Sequence, residues 1–212
     1  MVVIGVKIIQ SVVDLSHWFL SRAVQEGSMV IDATAGNGHD TLFLANLVGP
    51  SGKVYAFDIQ EKALETTKAL LAAHGLEERV QLIHNGHEKM DKYVPQKVHA
   101  VLFNLGYLPG GDRNIITYPD TTVQALNKSI HLLVPGGVLA IVVYWGHPGG
   151  GEEKEAVEEW MGQLSPAEYD LMKITFPNKN KAPYLIGVQK KSGRLKNEIC
   201  PPKKNSRDNR EL

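Results

Sequence analysis

The chain is almost without cysteine: Cys200 is the only one among 212 residues. A single thiol forms no disulfide framework and supplies no zinc cluster. It agrees with a reducing compartment, and the expected location is cytoplasmic. Long apolar runs are missing too. The longest, around residues 138–145, falls far short of the ~20 residues a bilayer-spanning helix needs, so no membrane partner is expected. Residues 1–10 are apolar apart from Lys7 and Gln10 and lack a small-residue cleavage site, so they read as mature protein and not as a signal peptide. Net charge is absent as well, because 23 Lys and Arg balance 23 Asp and Glu. That balance hides an asymmetry. From Lys190 onward there are eight basic and three acidic residues, which leaves 15 basic and 20 acidic before it. The body as a whole does not attract a polyanion. A nucleic acid would need a local patch, a dimer surface or the basic end. The blander reading of that end, residues 191–212, is a solvated, disordered tail.

What is present begins at residues 30–44. Val30, Ile31 and Ala33 read as a buried strand, Gly36 and Gly38 as a turn, and Thr41, Leu42 and Leu44 as the start of a helix. Glycines permit backbone angles and close approaches that a side chain blocks. A strand that turns into a helix over glycines leaves backbone N–H groups facing a crevice, where open α/β sheets bind nucleotide-like ligands. A dinucleotide diphosphate asks for three glycines in this turn. Here Thr41 stands at the third place, and Asp32 and Asp40 flank the loop. Two acids are poor company for a diphosphate. They suit a ligand carrying an ammonium and a sulfonium, such as S-adenosylmethionine. A second apolar strand ends in Asp58, 22 positions after Gly36, where a carboxylate can accept both ribose hydroxyls of an adenosine.

Along the chain, a helix with apolar spacing is expected over about 9–25, carrying His17 and covering part of the sheet or the crevice. Strands follow at about 29–33, 53–58, 79–84, 98–103 and 138–144, with helices at about 39–48, 61–74, 121–133 and 151–163. Pro135, Gly136 and Gly137 are expected to stop the fourth of these helices. Two last strands, about 169–176 and 184–190, have no helix between them and should pair antiparallel. The fold class is therefore α/β: a Rossmann-like, seven-stranded, mostly parallel sheet with helices on both faces and an antiparallel last strand. Residues 1–190 read as one domain, with no internal repeat. After the third strand, Gly86 and His87 fall at the ligand edge, where they are candidates to meet the adenine.

The fourth strand empties into Asn104, Leu105, Gly106 and Tyr107, then a glycine-rich loop reaching Asp112. The first four resemble the Asn-Pro-Pro-Tyr loop of amino-group methyltransferases, with Leu105 and Gly106 in place of the prolines. Methyl transfer from a sulfonium is an in-line displacement by a lone pair, so the nitrogen must be held and aimed. An Asn oxygen can accept an N–H bond and leave the lone pair toward the methyl, and Tyr107 can stack on a base. Asp112 and His147 are the titratable candidates for taking the amine's proton. Methylation at C5 of a pyrimidine is disfavoured, since it commonly uses a cysteine nucleophile and Cys200 lies in the tail.

The segments from Asp32 to Thr41, Phe57 to Gln60, Asn104 to Asp112 and Tyr144 to Gly150, with Asn178 and Asn180, together resemble one small bacterial family. It was first described as rRNA methylases and is associated with methylating the aminomethyl group of wobble uridine in tRNA (MnmM/YtqB-like). The resemblance implies S-adenosylmethionine as donor and 5-aminomethyl(-2-thio)uridine of the tRNA anticodon stem-loop as acceptor. It implies that Asn37, Asp40, Asp58, Gln60 and His87 meet the donor, and that Asn104, Tyr107, Asp112 and His147 line the acceptor side. With Asp32, Gly36, Gly38, Thr41 and Gly86 these are the candidate site residues. Residues 191–212 fall outside the family pattern. Three other readings stay open: an rRNA or small-amine methyltransferase, a non-catalytic RNA-binding module holding the donor, and a nicotinamide oxidoreductase. The last is disfavoured by Thr41.

Overall fold

The structure is a computed structural model that describes residues 9–108, 110 and 116–193. The expectations for residues 1–8, for Asp112 and for the tail from 194 onward, Cys200 included, lie outside the described residues.

Seven strands form one sheet: β1 (Met29–Asp32), β2 (Lys53–Asp58), β3 (Val80–His84), β4 (Val98–Leu105), β5 (Leu133–Val143), β6 (Tyr169–Ile174) and β7 (Tyr184–Lys190). Their spatial order is β3-β2-β1-β4-β5-β7-β6. The first five are mutually parallel, and β7 enters antiparallel between β5 and β6. The chain therefore runs outward one way through β1, β2 and β3 and the other way through β4 and β5. The reversal lies between β1 and β4, and at such a point the loops leaving the two strands diverge and open a crevice at their carboxyl ends.

Period-2 alternation divides the core between the two sheet faces. Ile31, Phe57, Phe103 and Leu139 point to one face, under α4 (Pro119–Leu132) and α5 (Gly150–Gly162). Val30, Ala56, Leu102 and Ala140 point to the other, under α1 (Val12–Ser21), α2 (His39–Leu47) and α3 (Glu61–His74). Burying each large apolar side chain contributes about 1.5–3 kcal/mol. The central strands are apolar on both faces, as a covered parallel sheet requires.

Three elements differ from their sequence expectation. Strand β4 runs on through Asn104 and Leu105, which pair with Val142 and Val143 of β5, so Asn104 stands on the end of the strand and not in the loop. Helix α1 is shorter, because a capping box fixes its start: the Ser11 hydroxyl accepts from the Asp14 N–H at 3.1 Å, and Asp14 accepts in return from the Ser11 N–H at 3.1 Å. Helix α4 ends at Leu132, before Pro135 and the two glycines, and β5 begins at once. The pairing of β5 with β4 jumps from Leu133 opposite Val98 to Val138 opposite Ala100, so the proline and glycines form an irregularity within the strand. Among the described residues no helix is long and apolar enough to cross a membrane.

Candidate active site

The crevice at the β1/β4 reversal is a cavity of about 770 Å³. Its first wall is the loop from β1 to α2. Gly36 and Gly38 both have positive φ, +53° and +84°. Gly38 is also pressed onto α3: a Cβ there would meet Thr67 at 2.8–2.9 Å, the Thr67 Cα included. Thr67 in turn donates to the Gly36 carbonyl at 3.0 Å. At the end of β2, Asp58 accepts from the Gly36 N–H through one oxygen and from the Gln60 N–H through the other, both at 2.8 Å. Asp58 thus fixes the loop while each oxygen keeps a further lone pair for a ligand.

Asp32, Gly38 and Thr41 are not on the cavity wall. Asp32 is fully buried and accepts from the Thr41 hydroxyl at 2.6 Å and the Thr34 N–H at 3.2 Å. Burial first, then the nearby Asp40 charge, push its carboxyl up to about 7, against the pull of the Thr41 and Thr34 hydrogen bonds. Asp32, Gly38 and Thr41 brace the loop from beneath. Gly36, Asn37, Asp40, Asp58, Gln60, Gly86 and His87 do line the cavity. His87 is buried, meets the Ala33 carbonyl through Nδ1 at 3.1 Å and packs edge-on to Phe103. Burial lowers its pKa below the ordinary histidine range, so its neutral ring donates from Nδ1 to that carbonyl.

The opposite wall is built from the end of β4. The Asn104 N–H donates to the Thr34 hydroxyl at 2.7 Å. Its side-chain nitrogen donates to Asp40. Asp40 is also bonded to His17 Nε2 at 2.5 Å, and the His17 ring stacks on Phe43 with centroids 3.8 Å apart. A carboxylate only accepts, so the Asp40 contact dictates which way the Asn104 amide faces. The Asn104 Oδ1 is then left buried without a hydrogen-bond partner. A buried acceptor without a partner in a cavity wall is a place for a donor that belongs to a ligand.

The segment beyond Asn104 is held by a partner that sequence reasoning missed. Gly106 donates its N–H to the Thr117 hydroxyl at 2.9 Å, and Thr117 donates to Glu153 at 2.6 Å. The Thr122 hydroxyl donates to the other Glu153 oxygen at 2.7 Å. Glu153 is buried in α5, and burial raises its pKa while the two threonines lower it. Nothing in the acidic run Glu152-Glu153 marks one of the two as buried; the helical phase relative to α4 decides it. Tyr107 pairs with Ile116 in an isolated antiparallel bridge, which closes the base of the glycine-rich loop. These contacts supply the rigidity that two prolines provide in the Asn-Pro-Pro-Tyr loop. Tyr107, Tyr118 and Tyr144 all line the cavity, and each is at least one-third exposed.

His147 sits behind this wall, not on it. Its ring nitrogens face the Pro148 carbonyl at 2.9 Å and the Tyr144 carbonyl at 2.8 Å, and its ring lies edge-on to Tyr107. It acts as a brace of the β5–α5 loop and presents no nitrogen to the cavity.

The residues present fit S-adenosylmethionine. Asp40, Asp58 and the unpartnered Asn104 oxygen are acceptors for ammonium and hydroxyl groups. The N-terminus of α2 lacks a side-chain cap and opens its backbone N–H groups beside Asn37 and His39. Ile59, 54% exposed next to Asp58, offers an apolar surface to a planar base. Sheet order, glycine turn and acid at the end of β2 together define a class I S-adenosylmethionine-dependent methyltransferase.

Comparison with known proteins narrows the class. The family model described as "Putative rRNA methylase" matches residues 54–190. The tRNA (mnm(5)s(2)U34)-methyltransferase, chloroplastic, of Arabidopsis thaliana is 43% identical over 188 residues, which are 84% of this chain and 69% of the plant protein. A crystal structure of a "putative rRNA-methylase" from Clostridium thermocellum is 45% identical with a TM-score of 0.85, over 87% of this chain and 100% of that one. A "putative methyltransferase" of Streptococcus mutans, solved in complex with SAH, is 42% identical with a TM-score of 0.79, over 86% of this chain and 99% of that one. The chain belongs to the Putative rRNA methylase family of S-adenosylmethionine-dependent methyltransferases.

Proposed function

We propose that the protein methylates the aminomethyl nitrogen of wobble uridine in tRNA, converting 5-aminomethyl(-2-thio)uridine to its methylaminomethyl form. The observation that carries this reading is the Asn104 oxygen, buried, unpartnered and fixed in direction by Asp40. An acceptor so placed binds an N–H of an incoming amine and leaves the nitrogen lone pair free. The name of the Arabidopsis relative supports the same acceptor.

S-adenosylmethionine, when bound, supplies an electrophilic methyl on a sulfonium. The chain's own residues do the rest. Asp58, with Gln60 and Asn37 beside it, holds the donor's ribose side of the cavity. Asn104 orients the amine. Asp40 adds negative charge to the same wall, which favours an ammonium on arrival. The nitrogen attacks only as the free amine, so that ammonium first gives up a proton to solvent or to an acceptor on the wall. Tyr107 stacks on the uracil ring and excludes water from it. Nitrogen gains one carbon bond and sulfur loses one, and the secondary ammonium so formed releases a proton after transfer.

Labelled donor with tRNA carrying or lacking the aminomethyl group tests the reading. Methyl incorporation into the aminomethyl tRNA alone is expected, with an under-methylated wobble uridine accumulating in cells that lack the protein. Equal labelling of both tRNAs, or labelling of ribosomal RNA instead, overturns it.

A further inference from the structure

We propose that a second cavity, beside Trp145, docks a backbone phosphate of the RNA substrate; the proposal rests on the tRNA reading above. This cavity has a volume of about 250 Å³ and lies between α5, β6 and the start of β7. Its lining includes Lys154, Lys173 and Lys179. Each lysine is laid over an aromatic ring. Lys154 Nζ is 5.1 Å from the Trp145 centroid, Lys173 Nζ 4.7 Å from Tyr184 and Lys179 Nζ 4.9 Å from Phe176. An ammonium held over a ring keeps its charge while its flexible stem is ordered before any ligand arrives.

The charge within the cavity is not balanced. Its lining contains one carboxylate, Glu158, shared between Lys173 at 2.9 Å and Lys154 at 3.9 Å. Three ammonium groups against one carboxylate suit an anion. The floor leans the same way. Tyr184 is 3% exposed and its hydroxyl is turned to Glu158, so the one carboxylate of the lining is engaged by Tyr184 and by two of the lysines. Such a lining matches an oxyanion and not an apolar guest.

Position assigns the anion to the substrate. Tyr144 lines the methyl-transfer cavity and Trp145 lines this one. Consecutive Cα atoms are about 3.8 Å apart, so the two sites share a wall. Trp145 is pinned by its indole N–H, which donates to the Ala182 carbonyl at 2.9 Å. An RNA strand with its wobble base in the first cavity leaves past Tyr144 and brings its backbone over Trp145. The body of this chain carries excess acid, so a local cationic station there favours RNA where the average charge does not.

The test compares Lys179→Ala and Lys154→Gln with the unsubstituted enzyme on aminomethyl tRNA and on the free aminomethyluridine nucleoside. Both lysines lie outside the methyl-transfer cavity, so kcat and donor affinity should stay within about twofold. The tRNA KM should rise roughly fivefold for each, and the slope of log kcat/KM against log salt should flatten by about 0.7–0.9 per lysine. Nucleoside turnover should not change, and Lys179→Arg should restore the tRNA KM. Unchanged KM and salt slope in both variants overturn the proposal, as does equal loss on nucleoside and tRNA. Inhibition by inorganic phosphate that matches inhibition by unmodified tRNA would mark a free-anion site and overturn it too. An unsubstituted enzyme that methylates no tRNA removes the functional reading and this one with it. Normal tRNA turnover with unmoved variants removes this one alone.

Discussion

Replacing Asp40 by Asn changes one atom and should disable the amine-orienting device. In the structure the two Asp40 oxygens accept from two different donors, Asn104 and His17. The Asp40 and His17 side chains are only 15% and 23% exposed, so water does little to replace either bond. A hydrogen bond to a charged acceptor is worth about 1.5–3 kcal/mol, against about 0.5–1.5 for a neutral pair. An amide at position 40 has one acceptor oxygen, and its nitrogen must point elsewhere. If that oxygen meets Asn104, the Asn104 orientation survives with a weaker bond. If the amide turns over, Asn104 follows and presents N–H groups to the amine, which cannot aim a lone pair. The loss of about 1–2 kcal/mol corresponds to a roughly 5–30-fold fall in kcat/KM at about 1.4 kcal/mol per tenfold. Because Asp40 also lines the donor cavity, donor affinity must be measured separately by calorimetry. The expected pattern is a fall in kcat larger than the fall in donor affinity, and a larger fall again for Asp40→Ala. Asp40→Asn with kcat within twofold of the original, or with a defect confined to donor binding, would refute the reasoning.

Further outcomes follow from the same contacts. His17→Phe keeps a ring to stack on Phe43 but drops the bond to Asp40, so kcat should fall roughly threefold to tenfold with KM for tRNA unmoved; steady-state kinetics checks this, and an unchanged kcat removes His17 from the orienting chain. Asp32 keeps its proton in the folded state up to about 7 but loses it near 3.8 when unfolded. Folding therefore takes up a proton between those values, and stability of the ligand-free protein should decline as pH rises from about 4 to 7, by up to about 4 kcal/mol. Melting curves of Asp32→Asn should lack that slope, and parallel slopes in both proteins would contradict it. Gly38→Ala forces a left-handed residue against the Thr67 backbone and should lower stability by about 1–3 kcal/mol together with donor affinity, read by denaturant unfolding and calorimetry. Glu153→Gln should keep the fold but loosen Thr117, and with it Gly106, lowering kcat more than the melting temperature; the reverse pattern would make Glu153 purely structural.

What the sequence determined by itself is the part written in local chemistry. Two glycines after an apolar strand, an acid ending the next strand, and strand–helix alternation are readable because each depends on neighbours within a few residues. The spatial order of the strands, with its reversal between β1 and β4, is read from the tertiary structure. Tertiary structure decided the rest. Asp32 and Asp40 look alike in the chain, yet one is buried beneath the loop and the other stands on the wall between His17 and Asn104, 23 residues before it and 64 after. His147 sits in a glycine-rich loop at the ligand edge, but backbone carbonyls claim its ring. Glu153 and Lys154 are adjacent, and the helix turns one to brace the methyl-transfer loop and the other onto Trp145. A hydrogen-bond partner far along the chain leaves no periodic trace, so only folding shows which polar side chain is used up in support and which is left to act.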